Sequence, residues 1–460
     1  MTIADGTVAA TQSHIPPLGN HPSVAELQHT AAPGEENGNG DHRHLFPNIR
    51  RMLLRAPEKK GQKQHPLDWG MPGELTAEEC DVYMKFRDEV EKRGGLFRTT
   101  VYCFGEEEGE PYALCRWLRA RKFKYNDVIT MVEEATQVRA EPRAKDFYPD
   151  PVAALGCDQS VYIQQYPQLY SGNAKNGAPL FISKPGILNV DAMECITTLD
   201  GIVKYHWYMM HHDFNMRLKK MKETNPEFCR FECVCILDLE HLTTAQLGSR
   251  ALAIIKQQTA IDSVCFPETL SRMVIVNAPR FFSLSWKLIK GWIDQRTANK
   301  IEIISSKSAW KKRLLELVDE DQLPSDYGGK SENTNVSLMK EAPGGMSRQH
   351  TELVTIRKHA SHTFDVAAGE KVSISVYVTS TEGFTFELRD AKVKHGEPLF
   401  KSVNIVHKGT AKDHPTRSTI TPEGQFIEGP CSVKVRVDSK SGMMQSDKTL
   451  LVFSVFPTSN

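Results

Sequence analysis

A stretch near the middle of the chain, residues 266–330, limits the possible folds more than any other part of the sequence. Residues 273–276 are apolar and predict a buried strand, which stops at Asn277-Ala278-Pro279 because proline lacks the N–H that a strand ladder needs. Residues 281–297 then predict an amphipathic helix whose charged residues turn away from one apolar stripe. The stripe consists of Phe282, Trp286, Ile289, Trp292 and Ile293. Taken alone, such a stripe is typical of a helix that faces a protein core.

Strands and helices alternate throughout residues 150–330. The predicted strands are 180–183, 231–239, 273–276 and 301–304, and the helical stretches lie near 199–222, 244–260, 281–297 and 308–318. This alternation is typical of an α/β domain in which crossover helices join the strands of a mostly parallel sheet. Upstream, residues 75–145 predict a small helical unit, which begins at a capping box formed by Thr76 and Glu79.

The two ends of the chain follow other patterns. Residues 1–70 are rich in Gly, Pro, Asn and His and predict a disordered tail. Within it, residues 48–55 are basic and apolar, which fits either a solvated segment or a short membrane-touching helix. Residues 331–349 predict a linker. From 350 to 458 apolar and polar residues alternate without a helical interval, which predicts an all-β antiparallel sandwich.

Several motifs, taken in this order, resemble those of the CRAL-TRIO lipid-binding family. The matching residues are Phe266-Pro267-Glu268, Val276-Asn277-Ala278-Pro279, Leu323-Pro324-Ser325-Asp326-Tyr327-Gly328-Gly329 and, in the helical unit, Leu118-Arg119-Ala120-Arg121-Lys122-Phe123. The resemblance implies a lipid cavity beneath a movable gate, which is the predicted helix at 281–297. The sandwich, by its position and pattern, resembles a GOLD domain, which implies a jelly-roll fold.

The same resemblance implies a site for a lipid headgroup. Glu268 and Lys300 hold the positions of an acid–base pair that marks the phosphoinositide-binding members. Thr297 matches a hydroxyl that contacts the phosphate, and Arg121 and Lys122 match a basic pair. The chemistry suits such a ligand because a phosphodiester needs a cation and ring hydroxyls need a carboxylate. Outside this context the same residues would be ordinary surface charges.

A choline headgroup is held by other positions in the family, and most of them have changed in this chain. Tyr170 is retained, but Phe181 replaces a second aromatic hydroxyl, and Cys233 and Cys235 replace two hydroxyls on one strand. A buried phosphate must be hydrogen-bonded, and a thiol is a weak donor. We therefore expect phosphatidylcholine to be disfavoured and a second, more apolar ligand to be accepted, such as a tocopherol, a sterol or squalene.

We expect no metal, no cofactor and no enzymatic activity. Cys229 joins Cys233 and Cys235, but a fourth ligand at zinc-type spacing is missing from the sequence. His206, His211 and His212 lie on one predicted helix without an i, i+4 histidine pair, which favours packing or cavity-mouth roles. Nucleophile-elbow, dinucleotide-binding and zinc-protease motifs are missing as well.

Composition restricts the partners and the compartment. The 57 basic residues balance 57 acidic ones, which argues against a nucleic-acid partner. No apolar run approaches the roughly 18 residues of a membrane span, and the first residues lack the pattern of a signal peptide. The ten cysteines have irregular spacing, which favours reduced thiols in the cytoplasm.

The sequence thus predicts an intracellular lipid-binding and lipid-exchange protein. It would touch membranes transiently, associate peripherally with Golgi or endosomal membranes and contact a protein partner through the sandwich. An alternative is a lipid-sensing signalling adaptor that regulates a protein partner without bulk transfer. A third interpretation, an α/β oxidoreductase or hydrolase, has little support.

Overall fold

The computed structural model describes residues 47–56, 68–340, 345–379, 384–392, 400–404, 416–419, 426–439 and 447–458. The helices are α1 (Pro47–Leu53), α2 (Ala77–Arg93), α3 (Gly95–Val101), α4 (Glu110–Ala120), α5 (Tyr125–Val138), α6 (Ala140–Ala144), α7 (Pro151–Leu155), α8 (Gln159–Gln165), α9 (Val190–Ile196), α10 (Leu199–Tyr208), α11 (Asn215–Thr224), α12 (Ser249–Cys265), α13 (Phe282–Lys290), α14 (Gln295–Ala298), α15 (Lys307–Leu317) and α16 (Thr334–Lys340). The strands are β1 (Gln168–Asn173), β2 (Pro179–Ser183), β3 (Cys233–Asp238), β4 (Leu270–Val276), β5 (Ile301–Ile304), β6 (Arg348–Ile356), β7 (His359–Val366), β8 (Glu370–Val378), β9 (Phe384–Asp390), β10 (Phe400–Asn404), β11 (Thr416–Thr419), β12 (Ile427–Glu428), β13 (Cys431–Ser439) and β14 (Asp447–Pro457).

The α/β domain is built on one five-stranded sheet in the order β1-β2-β3-β4-β5. β1 runs antiparallel to β2, and β2 to β5 are parallel. Helices connect each parallel strand to the next, so the predicted α/β class with crossover helices is confirmed. The strand predicted at 231–239 is shorter, and the one at 273–276 is longer by three residues at its start.

The two sides of this sheet have different surroundings. Side chains alternate between the faces of a strand, so neighbouring residues of β2, β3 and β4 look in opposite directions. One face is packed, and its buried residues include Leu180, Ile182, Val234, Ile236, Val274 and Val276, together with Trp310 and Leu314 of α15. The opposite face borders a cavity.

The helical unit packs at one side of the α/β domain. α2 begins as predicted, because the Thr76 hydroxyl accepts from the Glu79 N–H at 3.1 Å and the Glu79 carboxylate accepts from the Thr76 N–H at 2.9 Å. On α4, the buried Arg116 forms an ion pair with Glu108 at 2.7 Å. The same guanidinium donates to the Pro267 carbonyl at 3.3 Å, which fixes the helical unit to the loop that precedes β4.

Part of the predicted tail is packed. Residues 1–46 and 57–67 lie outside the described residues, so the prediction of disorder there stays a prediction. In α1, however, Leu53 is fully buried in the core of the helical unit, and the Gly73 and Leu75 N–H groups donate to its carbonyl. Leu53 thus anchors residues 48–55 to the protein, so the segment is not free, although Arg50, Arg51 and Met52 stay exposed.

The C-terminal part is a two-layer antiparallel β structure. One sheet has the order β10-β9-β13-β7, and the other has β11-β8-β14-β6 with β12 beside β8. Every strand pair in the two sheets is antiparallel. Inward-facing residues form the shared core, among them Ile374, Phe386, Val435 and Phe453. An all-β sandwich is thus present, as the alternating pattern predicted.

The sandwich is docked against the α/β domain. Tyr377, Leu450 and Val452, on the outer face of the β8–β14 sheet, are buried in the same cluster as Ile196 of α9. Gln165 donates to the Thr351 hydroxyl at 3.0 Å across this contact. No helix within the described residues combines the length and apolar character required to cross a membrane.

The linker predicted at 331–349 is corrected by α16, which occupies Thr334–Lys340. Thr334 is fully buried, and its hydroxyl is within 2.5 Å of both Asp326 and Lys184. The segment was predicted as a linker because it is polar, but Thr334 has polar partners in the α/β domain that hold α16 against it.

Candidate functional site

A cavity of about 350 Å³ lies between the sheet and the helices that cover it. Its walls are mostly apolar and aromatic, as is usual for sites that take hydrophobic small molecules. The four residues predicted to line a cavity, Tyr170, Phe181, Cys233 and Cys235, all line it. Burial raises the pKa of Cys233 to about 12 and raises that of Cys235 well above its ordinary value. Both thiols are therefore neutral and remain weak donors.

A π-helical turn shapes the opposite wall. Met209–Phe214 forms this turn between α10 and α11, so the three segments make one continuous helix. Met209, Met210 and Phe214 line the cavity. A π turn inserts an extra residue into the helical repeat and is frequent at functional sites. Here it sets the direction in which two flexible methionines face the cavity.

The predicted gate helix is shorter than expected. α13 ends at Lys290, and a new short helix, α14, begins at Gln295 with Asp294 as its N-cap. The helical stripe predicted through 281–297 is therefore interrupted at Gly291. Phe282, Trp286, Ile289 and Ile293 line the cavity, whereas Trp292, in the turn between α13 and α14, is not among the lining residues.

One surface of α13 remains open to solvent. Leu284 and Leu288 are 71% and 52% exposed, which is unusual for leucines of a protein interior. Lys287 and Lys290 are also exposed on this helix. Phe282 is the one fully buried residue of α13. The helix thus covers the cavity with one side and presents an apolar, basic side outward.

Glu268 is the centre of a buried ionic cluster at one end of the cavity. Its carboxylate lies 3.1 Å from the Lys300 ammonium, 3.0 Å from the Arg296 guanidinium and 3.4 Å from the Arg119 guanidinium. Arg119 lies 3.7 Å from Glu232, which in turn pairs with Arg230 at 3.4 Å. Such a network is costly to bury unless every charge has partners, so its members hold one another in place.

The backbone at Glu268 is strained. Its φ of 61° lies in the left-handed region, which is uncommon for residues other than glycine. Strain of this kind tends to occur at functional sites. Burial alone would raise the pKa of the Glu268 carboxyl, but Lys300, Arg119 and Arg296 together hold it below its ordinary value. The carboxylate is therefore ionised at neutral pH.

Lys300 and Thr297 differ in the hydrogen-bonding groups that they can offer to a ligand. The Lys300 ammonium donates to Glu268 at 3.1 Å and to the Leu270 carbonyl at 2.6 Å, which leaves one of its three N–H groups. The Thr297 hydroxyl donates to Asp294 at 2.5 Å, so in this arrangement its oxygen offers only lone pairs. Both residues line the cavity.

Of the predicted basic pair, Arg121 lines the cavity, but Lys122 is exposed and is not among the lining residues. Arg121 and Lys122 are at the end of α4, where the chain turns through a positive φ at Lys122, so consecutive side chains diverge. Arg119 is the basic residue of this segment that reaches Glu268. It stands two residues before Arg121, in the quoted motif, and its contact could be inferred only from the packing of the helical unit.

Further residues of the site were missed by the sequence analysis. Arg296 belongs to the cluster, although its place on the predicted helix put it on the solvent side, and the Trp69 ring stacks on it at 4.7 Å. Asp262 was missed as well: it lines the cavity beside His206, for which a packing or cavity-mouth role was predicted, and the two form a hydrogen bond of 2.7 Å between α10 and α12. These residues are far apart in sequence, so no local spacing indicated their contact.

His211 and His212 have structural roles. The His211 ring stacks on Phe147 at 3.7 Å, and burial lowers the pKa of its imidazole to about 2. His212 lies within hydrogen-bond distance of the Asp146 carbonyl at 2.7 Å. Neither ring is among the residues that line the cavity.

Comparison with known proteins identifies relatives of this region. Residues 163–329 match the family model of the CRAL/TRIO domain. The phosphatidylinositol/phosphatidylcholine transfer protein SFH12 of Arabidopsis thaliana is 28% identical over 226 residues, which cover 49% of this chain and 40% of the relative. The SEC14 cytosolic factor of Candida glabrata is 27% identical over 281 residues, which cover 60% of this chain and 84% of the relative.

The matches cover only part of the chains compared. The chain spans about two fifths of the length of the two Arabidopsis relatives SFH12 and SFH9. A solved structure, that of Sfh5, superposes with a TM-score of 0.42 at 16% identity, over 57% of this chain and 91% of its own. The residues matched by the family model include the sheet, α13 and most of the residues that line the cavity.

Proposed function

Because residues 163–329 match the CRAL/TRIO domain model, we propose that the chain binds one phosphatidylinositol-type lipid in its cavity and exchanges it with membranes. The observation that carries this proposal is the ionic cluster around Glu268 at one end of an otherwise apolar cavity. An acyl chain requires the apolar walls, and an anionic headgroup requires charged partners when it leaves water. The names of the relatives, which are lipid transfer proteins, agree with this chemistry.

The charge balance of the cluster suits a single phosphodiester. The residues that ion pairs join in this cluster hold four basic side chains and three carboxylates: Arg119, Arg230, Arg296, Lys300, Asp68, Glu232 and Glu268. A phosphodiester carries one negative charge and would neutralise that excess. The remaining N–H of Lys300 and the guanidinium of Arg121 would donate to the phosphate, and Glu268 would accept from ring hydroxyls.

Phosphatidylcholine is the poorer ligand in this proposal. Its phosphate would need donors in the part of the cavity that contains Phe181, Cys233 and Cys235, where thiols replace hydroxyls. Asp262 also lines the cavity, and its carboxylate would face the same phosphate with like charge. An apolar lipid such as a tocopherol, a sterol or squalene makes no demand for phosphate donors and is the second ligand that we propose.

The experiment is phospholipid transfer between vesicles by the full chain and by two Lys300 variants. Lys300→Glu confronts Glu268 and the phosphate with like charge, and Lys300→Met removes the charge but keeps the length. We expect both to lower phosphatidylinositol transfer at least about tenfold, since a charge-assisted contact contributes on the order of 1.5–3 kcal/mol. Transfer of an apolar lipid should persist.

Lys307→Glu is the matched control, because this lysine is exposed on α15 and outside the cavity. It should transfer phosphatidylinositol like the wild type. A folded Lys300→Met variant with wild-type phosphatidylinositol transfer would show that the headgroup binds elsewhere.

The remaining features of the proposal concern the rest of the molecule. α13 would act as the gate and would dip Leu284 and Leu288 into a bilayer, with Lys287 and Lys290 near anionic headgroups. The sandwich would be a GOLD-like jelly roll that contacts a protein partner. We propose a carrier without catalytic activity, in a cytoplasmic pool with peripheral association to Golgi or endosomal membranes.

A further inference from the structure

Three polar residues of the sandwich occupy positions that its strand pattern reserves for apolar side chains. On β6, Ile356 faces the core between the two sheets, so His350 and Glu352, which share its side of the strand, face inward as well. On β7, Phe364 faces that core and His362 shares its side. Polar groups at such positions cost free energy unless they have partners.

These residues meet where the two sheets come together at an open edge. β6 is the edge strand of one sheet and β7 is the edge strand of the other. His350 and Glu352 therefore approach His362 across the gap between the layers. All three side chains are partly exposed, so an ion from solvent can reach them.

The donor atoms have the separation of a nearly formed metal site. Glu352 lies 4.0 Å from His350 Nε2 and 3.9 Å from His362 Nδ1, and the three donor atoms all lie within 4.8 Å of one another. Around a tetrahedral zinc ion with bonds of about 2.0–2.1 Å, such atoms stand roughly 3.3–3.4 Å apart. The 4.0 Å contact is made by Glu352 Oε2 and the 3.9 Å contact by Glu352 Oε1, so the donor atoms would need to close by roughly 0.5 to 1.4 Å around the ion.

Aromatic packing holds both imidazoles. The His350 ring stacks on Phe364 with centroids 5.8 Å apart, and the His362 ring packs on Phe453 at 5.6 Å. Phe364 and Phe453 stack on each other at 4.4 Å. The two rings are thus oriented before any ion arrives, which reduces the entropy lost on binding.

We propose that His350, Glu352 and His362 bind one zinc-type divalent cation, which clips the two sheets of the sandwich together at their open edge. Two imidazoles and one carboxylate form a donor set that suits zinc, whereas magnesium and calcium prefer oxygen alone. A water molecule would complete the tetrahedron. Among the described residues this is the group of three His, Cys, Asp or Glu side chains with the spacing of a metal site.

The experiment is titration of the full chain, purified in chelator and then freed of it, with Zn²⁺ by calorimetry, together with thermal unfolding. The variants are His362→Ala and Glu352→Gln, and the control is His359→Ala, an exposed histidine of β7 outside the cluster. We expect the wild type and the control to bind Zn²⁺ with equal affinity and to gain unfolding temperature, because binding to the native state stabilises it. Each of the two variants should weaken this binding at least about tenfold, because even second-shell changes cost that much.

The ten cysteines of the chain are an alternative source of zinc binding, and Co²⁺ distinguishes them. Co²⁺ at the proposed site gives visible bands without a thiolate-to-metal charge-transfer band. The proposal is overturned if the wild type gains no stability from Zn²⁺, if both variants bind Zn²⁺ like the wild type, or if the Co²⁺ spectrum is that of a thiolate site. The three residues would then serve only as inward-pointing polar groups that keep edge strands from pairing with other chains.

Discussion

The same strands form both faces of the central sheet, but one face is a packed core and the other borders the cavity. On β3, Val234 and Ile236 point into the packed core beside α15, while Cys233 and Cys235 point into the cavity. The packed face has a neighbour for every side chain. The cavity face borders empty space, so the side chains that line it lose some of the dispersion contacts that a filled core provides.

This difference separates stability from ligand selection within a single strand. Residues of the packed face determine how stable the domain is, because their removal leaves a void that the rigid surroundings fill only in part. Residues of the cavity face determine which ligand fits, because the void is already there. Substitutions at neighbouring positions should therefore change different measurements.

The largest expected effect is on the packed face. Ile236→Ala removes a side chain that is fully buried, and we expect the free energy of unfolding to fall by about 2–5 kcal/mol. The neighbouring Cys235→Ala only enlarges an existing cavity and should cost about 1 kcal/mol or less. Chemical denaturation of both variants measures the difference. If both variants lose the same free energy of unfolding, the two faces are packed alike and the cavity does not weaken the packing of its own face.

The packed face was also the easier one to predict from sequence. Apolar runs such as residues 273–276 identify a buried strand by composition alone, so the four parallel strands were predicted from local patterns, whereas the antiparallel β1 was missed. The cavity face carries no such signal, since a cysteine that lines a cavity looks like a cysteine in a core. Cys233 and Cys235 entered the prediction only through a family resemblance.

Other features were missed for two reasons. The helix predicted at 281–297 breaks at Gly291 and restarts after the N-cap Asp294, which are local signals that the apolar stripe outweighed in the prediction. Further features depend on contacts between distant segments, which local patterns do not encode. Arg296 reaches Glu268 only after that break redirects the chain. The burial of Leu450 against the α/β domain likewise depends on how two domains meet.

The second prediction concerns a substitution that fills part of the cavity. Cys235→Phe adds a ring on the open face, and we expect lipid binding to fall at least about tenfold while the free energy of unfolding changes by less than about 1 kcal/mol. Ile236→Phe, on the packed face, should instead cost about 1–3 kcal/mol through overpacking. Equilibrium binding to vesicles and denaturation test the pair. If Cys235→Phe destabilises the protein as much as Ile236→Phe does, the cavity face is a filled core.

The third prediction compares the cover of the cavity with the sheet beneath it. In α13 only Phe282 is buried, whereas β4 is held by hydrogen bonds on both sides. We expect backbone amides of α13 to exchange with solvent deuterium at least about tenfold faster than those of β4, because segments with few buried contacts open locally. Mass spectrometry of the exchanged peptides measures this. Equal protection in α13 and β4, with or without vesicles, would contradict a movable gate.

The smallest expected effect concerns the charges at the end of the cavity face. Three cations hold the pKa of Glu268 below its ordinary value of 4.5, so the carboxylate stabilises the folded state above that pH, and its contribution is lost as the pH falls through the lower, folded-state pKa. The wild type should thus be more stable than Glu268→Gln by a constant amount from pH 8 to about 5, and the difference should narrow below about pH 4. Glu227→Gln, at an exposed position, controls for the loss of one carboxylate. Denaturation curves at each pH test the sign: a difference that narrows already between pH 7 and 6 would mean that burial dominates over the cations and that the carboxyl is not held ionised for a ligand.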